Sequence, residues 1–119
     1  MRTEAVIEVV QNDDVLVCVH PEQATRIIKG RIRELNPKFG PERVYYSQSG
    51  DLGRTTSFHT YSPPYTWGGN ILPPPDQVGK VYIAGAFRDA SVYQQKRWLE
   101  GNGYDTILVD DAIEGNVHV

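Results

Sequence analysis

Ser91 is the side chain best placed to do chemistry in this 119-residue chain. It follows an apolar run, Val81, Tyr82, Ile83 and Ala84, and a turn opened by Gly85, just where a helix is expected to begin. A helix N-terminus carries partial positive charge and unpaired N–H groups, which would aid a nucleophile and could hold an oxyanion. Serine also needs a base. Asp89, two residues earlier, could serve, but Asp and Ser at a helix start are N-cap residue types, and physics alone favours capping for this pair. Asp110 and Asp111 follow the next apolar run. They could bind a ribose, a metal or a water, or simply form a turn. His20 ends another apolar strand, where it could face a pocket or be a satisfied strand-end histidine. Gly85, Phe87 and Arg88 fall on the same expected edge as ligand contacts.

Positioning these residues requires strands and helices in alternation. Residues 80–112 read as strand, glycine turn, helix and strand, with Gly101 and Gly103 supplying the helix stop and 107–109 the second buried strand. So short a strand–helix–strand span implies a right-handed parallel crossover, and in such sheets ligands sit at the carboxyl ends of the strands. The first half repeats the pattern. Residues 3–10 have strand propensity, 11–14 form a turn cluster, and 15–20 make a strong buried strand. Pro21 is suited to start a helix. Ala24, Ile27, Ile28, Ile32 and Leu35 form an apolar stripe at helical spacing, with Asn36 and Pro37 as its end and Gly30 as a place of close packing. Residues 43–48 are the third strand. The expectation is one α/β domain over 1–119, a small three-layer Rossmann-like fold with a mainly parallel sheet of four or five strands.

Residues 47–79 break the rhythm. The segment is rich in proline and glycine, shows few buried-strand patterns and is too long for a bland connection. Tyr61, Tyr65 and Trp67 offer flat apolar surfaces for a ligand, and Asp51, Arg54 and His59 offer polar handles. A substrate lid, a loop pinned to the body by its aromatics and a subunit contact are all consistent with this composition.

Composition narrows the function classes. Hydrophobic residues make up 39% and charged residues 23%, which suits a soluble globular domain. A net charge of −3 gives no electrostatic reason to expect nucleic acid or an anionic membrane as partner. The basic cluster of Arg26, Lys29, Arg31 and Arg33 has helical spacing and reads as a solvated face. No run is long enough to span a bilayer and no signal peptide is visible, so a cytoplasmic setting is expected. Cys18, the single cysteine, lies in the apolar run VLVCV and is expected to be buried and inert. His20, His59 and His118 show no metal-ligand spacing, and there is no phosphate-loop or dinucleotide fingerprint, so no metal or cofactor is expected.

The residues VYIAG, Asp89, Ser91, Val92, Gly103, Tyr104 and the strand ending in Asp111 and Ala112 resemble the second half of the isochorismatase-like cysteine hydrolases. The likeness covers a quarter to a third of the chain. It implies a Rossmann-like fold, a pocket for a small polar metabolite at the same edge, and a homo-oligomer. Ser91 stands at the family's nucleophilic cysteine. Val19 stands where the first strand would carry the family's aspartate, and Lys80 is closer to the central strand than the family's lysine. The chain also stops soon after the Asp-Ala strand. The resemblance thus implies a fold and a pocket, with weak hydrolysis through Ser91, Asp89 and Asp111, or none. KVYIAGAFRD is also similar to the opening strand and loop of nucleoside 2-deoxyribosyltransferases and related nucleotide N-glycosidases, which implies a nucleoside-directed enzyme. A third alternative is a non-catalytic assembly protein, with 47–79 and the termini making subunit contacts.

Overall fold

The structure, a computed structural model, describes residues 1–47, 57–62 and 66–115, with the backbone alone at 41, 47, 57–62 and 66–71. Its elements run α1 (Thr3–Val9), β1 (Val15–Val19), α2 (Arg26–Phe39), β2 (Val44–Ser47), β3 (Ser57–Ser62), β4 (Thr66–Ile71), β5 (Lys80–Gly85), α3 (Tyr93–Gly101) and β6 (Asp105–Ile113). They build one sheet of order β4-β3-β2-β1-β5-β6. β2, β1, β5 and β6 are parallel, as a three-layer Rossmann-like α/β domain requires.

β1 is central, and every one of its residues is buried. Its alternating side chains serve two cores. Leu16 and Cys18 join Tyr82, Ala84 and Val44 against the α2 residues Ile28, Ile32, Leu35 and Phe39 and the α1 residue Val6. Val15, Val17 and Val19 join Val81 and Ile83 against Leu99 of α3 and Val92 just before it. A strand buried on both faces reads as a continuous apolar run, which is why VLVCV and VYIA were legible.

Four local readings are corrected. Thr3–Val9 is helical, with Val10 as its C-cap. Thr3 and Val6 are buried at three-residue spacing, with Ile7 and Val10 packed at the margin, and tertiary burial here overrides β propensity. Pro21 opens only a short 3₁₀ turn, and α2 starts after Thr25, whose Oγ1 accepts the Ile28 N–H at 3.4 Å. α2 also continues through Pro37 to Phe39, because the Phe39 ring is buried edge-to-face on Tyr82 at 5.7 Å. Within its stripe Ile27 is 69% exposed, and a Cβ at Gly30 would meet nothing within 4 Å, so neither packs closely.

The segment 47–79 contributes two strands rather than one long loop. β3 pairs antiparallel with β2 and with β4, which extends the sheet to six strands. Its last part is pinned by buried Leu72 and by the Tyr104 hydroxyl, which donates to the Pro73 carbonyl at 2.6 Å. Tyr61 and Trp67 face each other in register across the hairpin at the backbone level. Their side chains, that of His59, and residues Asp51, Arg54, Tyr65 and His118 lie outside the described residues. Among the described residues no helix is long and apolar enough to cross a membrane.

Candidate functional site at the carboxyl ends of β1 and β5

β1 hands the chain through α2 to β2 on one side, while β5 enters on its other side and leads to α3 on the opposite face. The strand order therefore reverses between β1 and β5. Open α/β sheets form their ligand crevice at such a switch point, outside the carboxyl ends of the two strands.

The two chains separate there abruptly. Val19 and Gly85 are the last register partners. Gly85 has φ +131°, and a Cβ on it would lie 2.0 Å from the Val19 carbonyl oxygen, so no side chain fits. The Ala86 N–H donates to that oxygen at 2.8 Å. Beyond this bond both strands turn through left-handed residues. His20 has φ 46° and ψ 51°, and Phe87 has φ 67° and ψ 65°. They are the only non-glycine residues with positive φ among those described. Such a conformation costs about 1–3 kcal/mol per residue and concentrates at functional sites.

The two strained residues touch. Their ring centroids are 5.9 Å apart at an interplanar angle of 70°, an edge-to-face contact. Phe87 is 40% exposed, whereas His20 is 3% exposed. The Nδ1 atom of His20 is buried and makes no hydrogen bond. Glu22, in the 3₁₀ turn after Pro21, brings Oε1 to 3.5 Å from it, close enough for ionic attraction but too loose for a hydrogen bond.

Phe87 also governs the helix start. Its carbonyl accepts the Ala90 N–H at 3.1 Å and the Val92 N–H at 3.0 Å, so residues 88–92 form a π turn that feeds α3. π turns of this kind are frequent at functional sites. Ser91 is buried within it, and Asp89 lies in its first turn.

The remaining expected site residues do structural work in this fold. Arg88 points toward β6, donating from Nη2 to the Asp110 carbonyl at 2.7 Å and the Ile113 carbonyl at 3.4 Å. Asp110 and Asp111 do not close β6, which runs on to Ile113. Asp110 holds the Met1 ammonium at 2.6 Å. Asp111 turns to the α1 and α2 side, away from the helix that carries Ser91. Its Oδ1 accepts the Thr3 N–H at 2.6 Å and the Thr3 hydroxyl at 2.8 Å, and its Oδ2 pairs with Arg31 at 2.8 Å. Burial opposes ionisation of this carboxyl, but the Thr3 bonds and the nearby Arg31 and Arg2 outweigh it and hold the pKa below the ordinary carboxylate value. Arg31 is thus tied to Asp111 and is not part of a purely solvated basic face. Cys18 is fully buried, and burial alone drives its thiol far upward, which leaves it inert as expected.

A second feature lies at the opposite end of the strands. An open groove of about 680 Å³ is lined by Asp13, Asp14, Lys80, Tyr82 and Asp105 among others. Asp14 is buried, accepts the Gln11 N–H through Oδ2 and the Lys80 N–H through Oδ1, both at 2.7 Å, and so clasps the chain ahead of β1 to the start of β5. The sequence reading had only a turn cluster there, and it missed Glu22 altogether. A carboxylate two residues after a strand-ending histidine was the available signal, hidden by the expectation of a regular helix from Pro21. Among the described residues no group of three or more His, Cys, Asp or Glu is arranged to hold a metal. Comparisons with protein-family models, with curated proteins and with solved structures find no match to this chain.

Proposed function

We propose that this domain binds a small polar metabolite in the crevice between the carboxyl ends of β1 and β5, in the manner of a reduced isochorismatase-like domain. One observation carries the reading: His20 and Phe87, on the two strands that flank the switch point, are both held in left-handed backbone and pack ring against ring. Two such strains on adjacent strand ends persist because the buried strands and the Gly85 contact fix them, and they leave an exposed aromatic surface over a buried imidazole. A metabolite thermal-shift screen followed by amide chemical-shift mapping tests this. Compounds that raise Tm and perturb residues 20–22 and 85–91 support the crevice. No hit, or hits mapping elsewhere, removes it.

The finer reading is weak hydrolysis with Ser91 as nucleophile. Its support is the place of Ser91 in the first turns of the helix that leaves this edge. Asp111 is committed to Thr3 and Arg31, so a base for Ser91 would come from elsewhere in the crevice. The measurement is a panel of amide, ester and glycoside substrates against the parent, Ser91→Ala and Ser91→Cys. Turnover in the parent that Ser91→Ala abolishes supports a serine nucleophile. Background rates in all three leave binding without hydrolysis.

A further inference from the structure

Inside the proposed crevice, and resting on that reading, we propose that Glu22 and His20 form a carboxylate–imidazole pair that presents Nε2 of His20 as an acceptor to a hydroxyl- or amine-bearing ligand, with Phe87 as the movable cover.

The argument starts from an unmet requirement. A buried ring nitrogen without a partner costs free energy comparable to a lost hydrogen bond, about 1–3 kcal/mol. The Nδ1 of His20 is such an atom. Its closest charged neighbour is Glu22 Oε1, at 3.5 Å. The Glu22 side chain is 56% exposed, so a small χ adjustment can convert ionic proximity into an Nδ1–H···O bond. A carboxylate at Nδ1 selects the tautomer that carries its proton there, which leaves the Nε2 lone pair as acceptor. The same carboxylate stabilises any positive charge that arises on the ring.

Charge at this edge is mixed, so the acceptor nitrogen sets the ligand class. Among the described residues, Glu22, Asp89 and Glu114 stand near the carboxyl ends of β1, β5 and β6, together with Arg26 at the start of α2 and Arg88, which bonds the β6 carbonyls. The Arg88 N–H reaches the Glu114 carbonyl and the Glu114 N–H reaches the Gly85 carbonyl, which fixes Glu114 beside the crevice. An imidazole nitrogen held as an acceptor suits a ligand that donates a hydrogen bond, through a hydroxyl or an amine. Among the described residues, Phe87 is the aromatic ring that packs on the nearly buried imidazole. That residue is 40% exposed, its ring meets His20 edge-to-face, and its backbone strain is relieved by rotation out of the left-handed region.

Imidazole nitrogen NMR on the intact ligand-free protein tests the pair, with His20 assigned by its loss in His20→Asn. The expected result is the Nδ1–H tautomer in the parent and a several-fold rise of the Nε2–H form in Glu22→Ala. Since Glu22 is exposed, this variant is expected to keep the fold. An Nε2–H tautomer in the parent, or a tautomer ratio unmoved by Glu22→Ala, overturns the pair. For the cover, carbethoxylation of His20 followed by peptide mass spectrometry should run several-fold faster in Phe87→Ala than in the parent, and an unchanged rate overturns that role. Neither readout uses a ligand, so their failure leaves any thermal-shift hit standing, and absence of hits leaves them intact.

Discussion

Phe87 holds a bulky side chain where glycine would be at ease. Its φ of 67° lies in the left-handed region, and its ring is only partly covered. Removing the side chain therefore separates strain from packing. Phe87→Gly is expected to be more stable than Phe87→Ala by about 1 kcal/mol, because alanine retains the Cβ that the left-handed backbone disfavours. Chemical denaturation of the two variants checks the difference, and equal midpoints would mean that the backbone relaxes once the ring is gone. Neither left-handed residue was visible in the sequence. Positive φ at Gly85 follows from residue type, but at His20 and Phe87 it is imposed by two strands that diverge around a glycine, a tertiary cause without local signature. Ser91, by contrast, was placed correctly at the start of a helix, because strand, glycine and helix are all locally encoded. What could not be read was the partner of each acid, since Asp111 finds Thr3 across 108 positions of sequence.

At the scale of elements, the sheet is clasped at the opposite end by Asp14. Two backbone N–H groups, of Gln11 and Lys80, have this one carboxylate as acceptor, and it is 2% exposed. Asp14→Ala leaves both donors to poorly placed water and should cost about 2–4 kcal/mol in unfolding free energy. Asp14→Asn, which keeps a single acceptor oxygen, should fall between alanine and the parent. Denaturant unfolding at constant m-value is the measurement. The parallel strands were legible because each is buried on both faces and apolar throughout. α1 was not, since seven residues of mixed valine and glutamate satisfy a strand pattern as well as a helical one, and only the α2 and β6 surfaces decide between them. The hairpin β3–β4 was missed for the complementary reason: an outer pair of strands with glycines and polar residues lacks the apolar signature of the centre.

For the whole molecule, the contact of Asp111 with Thr3, Arg2 and Arg31 ties α1 and α2 to the last strand. Its folded-state pKa lies below the ordinary value of 3.8. A carboxyl whose pKa falls on folding stabilises the native state above its unfolded pKa, and that stabilisation is lost as pH drops through the folded value. The parent should therefore lose stability progressively below about pH 4, and Asp111→Asn should show a shallower acid limb together with a loss of about 2–4 kcal/mol near neutrality. Urea midpoints from neutral pH down to strong acid give both quantities. A parallel acid limb in the variant would place the pH response on other carboxylates.

The same contact has a consequence for how the chain is made. α1 leaves the ribosome before any strand of this sheet, yet the carboxylate that fixes its first turn is added 108 positions after Thr3. A seven-residue helix has little stability of its own. Until β6 emerges it has no last strand to dock on, so the cover over Val6 stays incomplete until the sheet is formed. Closure of this long loop is a late event in folding.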